Sequence, residues 1–476
     1  MERRQTRKEF LAAAATGVAA LSLPGRALAF LDSPVGVATY VTEPSFRVPT
    51  LTVNKLASPS PGYVFATTLN GPGQRAPMIV DNTGEVVWFL PLDEVPVNFR
   101  TQVYRGETVL TWWQGSFTQL ATGQGSSVIV DDTYSQVAVV EAGNGYKADP
   151  HEFLLTPQGT ALMTIYNAVA ADLSSVGGST SGTVLDSIVQ EVDVASGAVL
   201  FEWHSLQHIP LTDTYAPLLD PCDYFHVNSI DVDLDGNLIV SARNTSAVYK
   251  LDRKSGAVLW TLGGRSGDFQ LGPRAFFMYQ HDARTHPDGT LTLYDDGPSS
   301  SSQQSRAIRL GLDTSSMQAL LLQEFDHPTP LMSSAMGNAQ VLPNGNVMVG
   351  WGTAPYITEF DPLGDVQFDA SFDGKAWNYR AFRNTWAGRP ATKPAIVARR
   401  RVGGATVHVS WNGSTETAYW RIAGGPAPDA VAPLTTVPAA GFETAVAVAG
   451  SHRVLQATAL DSRKRPLASS AAVRPA

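Results

Sequence analysis

The chain has 476 residues, of which 43% are hydrophobic and 16% are charged, and its formal net charge is −9. This length exceeds that of one small domain. The proportion of hydrophobic to charged residues is that of a globular protein and excludes a disordered one. The negative charge provides no basic field for a nucleic-acid backbone, which excludes a nucleic-acid partner. The single cysteine, Cys222, excludes an intramolecular disulfide.

Residues 1–29 have the composition of an export signal. Arg3, Arg4, Arg7 and Lys8 precede a short apolar run at residues 11–23, and Ala27-Leu28-Ala29 is a small-x-small cleavage site. The run is too short to cross a bilayer, so we expect cleavage and no stable membrane insertion afterwards. Residues 6–11 resemble a twin-arginine signal, with lysine in the second basic position. The mature protein is therefore expected to be periplasmic or extracellular and to begin with an extended segment at residues 30–61.

Two hairpin patterns alternate along residues 62–389. One places a turn glycine before an apolar strand, at Gly159, Gly236, Gly289 and Gly345, and the other joins an Asp-containing turn to an apolar strand that often carries Trp. Two hairpins make a four-stranded sheet that can bury its faces only by stacking on others, which predicts a β-propeller. The paired patterns fall at about 62–90, 100–143, 152–203, 229–262, 282–325 and 338–372. They predict six blades, with seven as the alternative.

Residues 390–476 have a different character. Short apolar strands at 394–398, 406–411, 417–422, 443–448 and 454–460 alternate with polar turns. Their number and spacing predict a small immunoglobulin- or fibronectin-like β-sandwich. The whole chain is therefore predicted to be all-β.

Three histidines begin three successive predicted blades. His151, His226 and His281 lie 8, 10 and 8 residues before the turn glycine of their repeat, and Asn338 lies 7 residues before Gly345. Equivalent positions in a propeller meet at one mouth of the central channel, so we predict that the three histidines converge there as catalytic residues.

A metal site and an anion site are the two other possibilities that these residue types raise. Zinc or copper would suit three histidines, but the chain has no His-x-His pair and no His-Glu-x-x-His motif, so we predict no metal and no cofactor. The calcium-like run 231–236 lacks a carboxylate at its twelfth position, Ala242, and is predicted to be a hairpin turn. Arg265, Arg274, Arg284 and Arg306 are candidates for anion contacts. Of these, Arg284 and Arg306 are predicted to bind an anion at the channel mouth, and Arg306 is preferred because it enters its strand from a loop.

The chain resembles the bacterial arylsulfate sulfotransferase family over roughly residues 45–375. The resemblance is carried by four segments of the sequence: Phe225-His226-Val227-Asn228-Ser229, residues 249–264, Tyr279-Gln280-His281-Asp282-Ala283-Arg284, and residues 337–346. It implies a six-bladed propeller that moves a sulfuryl group from a phenolic sulfate ester to a phenolic acceptor.

The resemblance also implies roles for individual residues. It implies a ping-pong reaction in which a histidine attacks sulfur, with His226 and His281 as sulfate-binding or acid–base histidines and Arg306 as the anion-binding arginine. Asn228 and Asn338 are predicted to bind substrate beside Arg284. The family's nucleophilic histidine lies late in the propeller, where Asn338 stands here. His151, His226 and His281 therefore all remain candidates for the nucleophile, and direct transfer is a further possibility.

Two other functions compete with sulfuryl transfer. A propeller that binds a ligand or partner without catalysis would account for Asn338 and for the added sandwich domain. A quinone-dependent dehydrogenase would account for the repeated Asp-to-Trp hairpins, but a single cysteine excludes the adjacent-cysteine device of many such enzymes.

Overall fold

The computed structural model describes residues 36–118, 122–217, 219–297 and 304–476. The predicted export signal lies outside these residues. Within them the regular structure is β-strand, apart from four short 3-10 helices, and none of these helices is long and apolar enough to cross a membrane. The 3-10 helices are Ser174–Val176, Ser205–Gln207, Leu211–Asp213 and Asp373–Lys375.

Six antiparallel sheets follow one another along residues 51–384, here numbered sheet 1 to sheet 6. Sheet 1 contains Tyr63–Thr67, Pro77–Val80, Val86–Phe89 and Phe382–Asn384. Sheet 2 contains Val95–Tyr104, Glu107–Phe117, Gly123–Val130 and Gln136–Val140. Sheet 3 contains Phe153–Leu155, Thr160–Ala171, Gly182–Asp193 and Val199–His204.

Sheets 4 to 6 repeat this order. Sheet 4 contains Val227–Val232, Leu238–Ala242, Ala247–Leu251 and Val258–Gly263. Sheet 5 contains His281–Thr285, Thr290–Asp295, Arg306–Asp313 and Gln318–Asp326, with Gln270–Leu271 added in parallel. Sheet 6 contains Asn338–Val341, Val347–Gly350, Tyr356–Phe360, Val366–Phe372 and Leu51–Leu56.

The predicted turn glycines connect the first and second strands of sheets 3 to 6. Gly159, Gly236, Gly289 and Gly345 have φ angles of 80°, 84°, 80° and 87°. This left-handed region costs glycine no steric penalty, which explains why these turns recur with glycine. Every residue of the second strands Leu238–Ala242, Thr290–Asp295 and Val347–Gly350 is buried, because these sheets are covered on both sides.

Strands from the two ends of the propeller-like region complete the first and last sheets. Leu51–Leu56 pairs with Val366–Phe372 at the edge of sheet 6, and Phe382–Asn384 pairs with Tyr63–Thr67 in sheet 1. The first strand of each of sheets 2 to 6 contacts the preceding sheet, and Phe382–Asn384 contacts Val347–Gly350 of sheet 6. The succession of contacts therefore passes through all six sheets and returns to the first.

Residues 395–476 form two further sheets around a shared core. One contains Ala395–Arg401, Gly404–Ser410 and Glu443–Ala449. The other contains Tyr419–Gly425, Ala432–Pro438, Val454–Leu460 and Pro466–Ser469. Val407, Trp420 and Leu455 are among the residues of the core that the two sheets share. The sequence analysis missed Ala432–Pro438 and Pro466–Ser469, because prolines bound or interrupt these edge strands and weaken the strand pattern.

Candidate functional site

The three predicted histidines lie together at the starts of the first strands of sheets 3, 4 and 5. The rings of His151 and His226 are 4.8 Å apart, centroid to centroid, and nearly perpendicular. The ring of Tyr379 lies between the histidines, 5.7 Å from His151 and 6.5 Å from His281. The convergence expected from the repeat spacing is therefore present in the structure, although the catalytic role stays a prediction.

Each of these histidines bonds a carboxylate through Nδ1. The distances are 2.5 Å from His151 to Asp149, 2.5 Å from His226 to Asp223 and 2.5 Å from His281 to Asp296. A carboxylate that accepts the Nδ1 proton fixes the tautomer in which Nε2 carries the lone pair. The cluster thus presents three oriented Nε2 atoms. That of His281 accepts a long hydrogen bond, of 3.4 Å, from the backbone N–H of Met336.

Exposure and backbone conformation distinguish His226 from the other two histidines. Its side chain is 9% exposed, against 6% for His151 and 2% for His281. Its φ angle of 58° lies in the left-handed region, where residues other than glycine are strained and which occurs often at functional sites. All three residues are buried, and the side chain of His226 is the most exposed of them.

Burial keeps His226 and His281 in their neutral forms. Burial lowers the pKa of His226 below its ordinary value of 6.5, although the Asp223 carboxylate raises it. Burial and then Arg243 lower the pKa of His281 well below that value. Burial also raises the pKa of Asp296 well above its ordinary range, and Arg243 partly offsets this shift. The Nε2 lone pair of His226 is therefore free of a proton at neutral pH.

Arg243 is a cation beside the histidines that sequence reasoning missed. It follows the second strand of sheet 4, and its backbone N–H donates to the carbonyl of His226 at 2.9 Å. Its guanidinium donates to the side chain of Asn244 and to the carbonyl of Ser334 and has no carboxylate partner among the described residues. A half-buried cation without a carboxylate partner is suited to an anionic ligand.

Tyrosines form the walls of the cluster. The Tyr379 hydroxyl donates to the carbonyls of His151 and Asn228 at 3.2 and 3.3 Å, so it reaches from sheet 1 to sheets 3 and 4. The Tyr166 ring is 5.7 Å from both His151 and His226, and its hydroxyl donates to the carbonyl of Val227 at 2.7 Å. These aromatic faces give the cluster an apolar lining that suits an aromatic ligand.

The structure places Arg284 in a buried ion-pair network instead of beside the histidine rings. Its guanidinium donates to Glu152 and to Asp282, and these carboxylates raise its pKa against the effect of burial. Arg100 and Arg380 also pair with Glu152, at 2.7 and 3.1 Å. We call these five residues the central charge network. Arg284 shares these two carboxylates with Arg100 and Arg380, and its anion-binding role stays a prediction.

Arg306, Asn228 and Asn338 also form hydrogen bonds or ion pairs with other groups of the protein. Arg306 is fully buried and bonds Asp295 at 3.1 Å and Glu324 at 2.8 Å, across the strands of sheet 5. Asn338 bonds the backbone N–H and C=O of Ala381 at 2.9 and 2.8 Å, and Asn228 donates to the carbonyl of Gln280 at 2.6 Å. In the structure these predicted substrate-binding residues hold neighbouring strands and sheets together.

A cavity of about 390 Å³ borders the central charge network, and Arg100, Asp282 and Arg284 of that network line it. It is lined by residues of the first strands of sheets 2 to 6 and by Phe382 and Asn384 of sheet 1, and none of the three clustered histidines lines it. The cavity and the histidine cluster are therefore separate features of the same central region. Among the described residues, no group of three or more His, Cys, Asp or Glu side chains is arranged to hold a metal ion.

Comparison with known families identifies the class of protein. The family model described as arylsulfotransferase (ASST) matches residues 100–373, which is more than half of the chain, and the chain belongs to this family. The match includes all three clustered histidines together with Arg243. No curated protein matches the chain.

Several solved structures have a distant similarity to the chain. A protein of unknown function from Bacteroides caccae is 13% identical, with a TM-score of 0.43 over 68% of this chain and 98% of that one. The periplasmic gluconolactonase of Pseudomonas aeruginosa is 12% identical, with a TM-score of 0.38 over 67% and 98%. Virginiamycin B lyase from Staphylococcus aureus is 11% identical, with a TM-score of 0.34 over 76% and 96%. Similarities at this level say nothing about the activity of this chain.

Proposed function

We propose that the protein transfers a sulfuryl group from a phenolic sulfate ester to a phenolic acceptor, with Nε2 of His226 as the nucleophile. The observation that carries this proposal is the Asp223–His226 pair, whose ring lies 4.8 Å from that of His151. Membership of the arylsulfotransferase family supports the reaction class. The greater exposure of the His226 side chain, 9% against 2%, supports its choice over His281.

The proposed reaction has two half-reactions that balance. In the first, the Nε2 lone pair of His226 attacks sulfur and the S–O bond to the donor phenol breaks. His151 begins this half-reaction as the imidazolium, with Nδ1–H on Asp149, and gives its Nε2 proton to the departing phenolate. His226 then carries the SO₃ group on Nε2. It keeps the proton on Nδ1 and donates it in a hydrogen bond to Asp223. In the second, the acceptor phenol gives its proton to His151, its oxygen attacks sulfur, and the N–S bond breaks.

Arg243 is proposed to stabilise the transferring group. Charge accumulates on the three oxygens of a sulfuryl group in transit, as it does on a phosphoryl group. A fixed guanidinium beside the nucleophile stabilises that charge as it develops. We assign to Arg243 the anion-binding role predicted for Arg306, because no carboxylate in the described part of the chain pairs with Arg243 whereas two pair with Arg306.

The proposal includes an architecture and a location. We propose that the six sheets are the blades of a closed six-bladed β-propeller at residues 62–389 and that residues 390–476 are an immunoglobulin-like sandwich. The return of the sheet contacts to sheet 1 and the shared core of the last two sheets support these assignments. The signal-like residues 1–29 support export to the periplasm or beyond.

Purified protein is expected to release nitrophenolate from 4-nitrophenyl sulfate continuously only when phenol is present. Without phenol the sulfo-enzyme cannot turn over, so release should stop at one equivalent per chain. The measurement is the absorbance of nitrophenolate together with mass-spectrometric detection of phenyl sulfate. Continuous release without phenol would indicate hydrolysis instead of transfer. No release from several phenolic sulfates would contradict the proposal in favour of a non-catalytic binding protein.

Asp223→Asn is expected to slow transfer and to move its acid limb to lower pH. Loss of a hydrogen bond to a charged group, worth about 1.5–3 kcal/mol, corresponds to a rate about 10- to 150-fold lower. The Asp223 carboxylate raises the pKa of His226, so its removal lowers that pKa further. The neutral nucleophile then persists to more acidic pH. The pH profile of kcat/KM measures this shift, and an acid limb that stays in place or moves upward would contradict the assignment of His226.

A further inference from the structure

Two arginine–tyrosine contacts lie beside the histidine cluster. The guanidinium of Arg243 lies over the ring of Tyr279, with its central carbon 4.7 Å from the ring centroid. The guanidinium of Arg265 lies over the ring of Tyr215, with its central carbon 4.3 Å from the ring centroid. The Tyr279 hydroxyl is 3.5 Å from the carbonyl of Tyr215, which places the two contacts side by side. We call these four residues the rim.

The rim is attached to the same residues that hold His226. The backbone N–H of Tyr215 donates to the carbonyl of Asn244 at 2.7 Å, and the Asn244 side chain donates to the carbonyl of Asp223 at 2.6 Å. Arg265 donates through Nε to the carbonyl of Thr214 at 3.2 Å. The rim therefore has a fixed position relative to the Asp223–His226 pair.

The two rim arginines differ from those of the central charge network in their charge balance. Within the described residues, neither Arg243 nor Arg265 forms an ion pair, whereas Arg100, Arg284 and Arg380 all pair with carboxylates. Arg243 is half-buried beside the histidines, and Arg265 is exposed. In a chain of net charge −9, two unpaired cations separated by tyrosine faces form a local site for an elongated aromatic anion.

We propose that the rim selects aryl sulfates that carry a second anionic group at the far end of their aromatic unit. The inference rests on the proposed function, because it assigns the first anionic group to the sulfate ester beside Arg243 and His226. The aromatic unit then packs along the tyrosine faces of the rim, and Arg265 pairs with the distal anion. Arg265 touches no reacting atom and is a specificity residue.

The test compares biphenyl-4-yl sulfate with the same donor carrying a 4′-carboxylate. An exposed ion pair contributes about 0.2–1 kcal/mol, so kcat/KM at low salt is expected to be about two- to fivefold higher for the carboxylated donor. Arg265→Gln should remove this preference, and the loss should appear as a higher KM for the carboxylated donor. Arg105→Gln is the matched control, because Arg105 also lies over a tyrosine, Tyr104, but in the turn between the first two strands of sheet 2.

Failure of this inference is distinguishable from failure of the proposed function. Equal kcat/KM for the two donors, or a preference that survives in Arg265→Gln, would overturn the role of the rim while sulfuryl transfer stands. Absence of turnover with both donors would overturn the proposed function. Titration calorimetry of the same two compounds would then decide about the rim, because tighter binding of the carboxylated compound that is lost in Arg265→Gln supports it and equal binding overturns it.

Discussion

His226→Asn is expected to reduce sulfuryl transfer by about 1000-fold or more, the scale seen when a covalent nucleophile is removed. Asparagine is the appropriate replacement because it tolerates the left-handed backbone of this position, with φ 58°, better than alanine does. It also keeps polar atoms near Asp223 but has no nucleophilic ring nitrogen. The transfer rate is measured with 4-nitrophenyl sulfate and phenol, and folding is checked by circular dichroism and thermal unfolding.

A histidine–aspartate pair outside the cluster provides the control for this variant. His204 bonds Asp186 through Nδ1 at 2.6 Å but lies in the last strand of sheet 3. His204→Asn should therefore leave transfer nearly unchanged. Wild-type protein incubated with donor alone should gain the mass of one SO₃ group, and His226→Asn should not. A variant that transfers at the wild-type rate, or that still gains this mass, would show that another residue is the nucleophile.

The repeat pattern predicted the sheets well because its signals are local. Asp and Gly turns between apolar strands mark hairpins whose strands are neighbours in the chain, and the six predicted ranges correspond to sheets 1 to 6. The strands that pair across the whole region were not predicted. Leu51–Leu56 pairs with a strand about 315 residues away, as the Asn54–Asp369 bond between the two strands shows, and a sequence pattern indicates a strand without naming such a distant partner.

The sequence predicted the three histidines of the candidate site but not the other groups beside them. Counting back from the turn glycine placed Asn338 as the equivalent of the histidines, yet the first hairpins of sheets 4 and 5 contain register shifts next to His226 and His281 that the hairpin of sheet 6 lacks. Such a shift changes which residue faces the centre. Arg243 and Asp296 were missed because they follow second strands, whose ends lie beside the starts of the first strands in an antiparallel hairpin.

Arg306 shows how an arginine at the start of a strand can be misread. It lies directly opposite Asp295 in the antiparallel register of sheet 5, so the two side chains form a cross-strand ion pair. Its position after a loop suggested an exposed anion contact, but the pairing buries it completely. Buried arginines of this kind stabilise the scaffold only as long as their carboxylates remain.

In the central charge network, several buried arginines depend on the same carboxylates for their stabilising effect. Glu152 is fully buried and accepts from Arg100 of sheet 2, from Arg284 of sheet 5 and from Arg380, which precedes the strand Phe382–Asn384 of sheet 1. Burial alone would raise the pKa of Glu152, but the three guanidinium groups outweigh it and hold that pKa well below its usual range. Glu152 thus bonds three arginines that are far apart in the sequence, and it shares two of them with Asp282.

Glu152→Gln is expected to lower the free energy of unfolding at neutral pH by about 3–5 kcal/mol, because it leaves buried guanidinium charge uncompensated. The folded-state pKa of Glu152 lies below its unfolded value of about 4.5. The stabilisation by the carboxylate is therefore complete well above that pH and decreases as the pH falls toward the folded pKa. Denaturant unfolding, followed by tryptophan fluorescence between pH 7 and pH 3, should show wild type and variant converging on the acid side.

The matched control for this variant is Glu416→Gln. Glu416 pairs with Arg389 at 3.3 Å, but both side chains are about half exposed. Water and salt screen such a pair, so its loss should change the free energy of unfolding by no more than about 1 kcal/mol. If Glu152→Gln were as mild as this control, or if its effect persisted unchanged at pH 3, the three arginines would not depend on the Glu152 charge. The stability of the central region would then come from packing between the sheets alone.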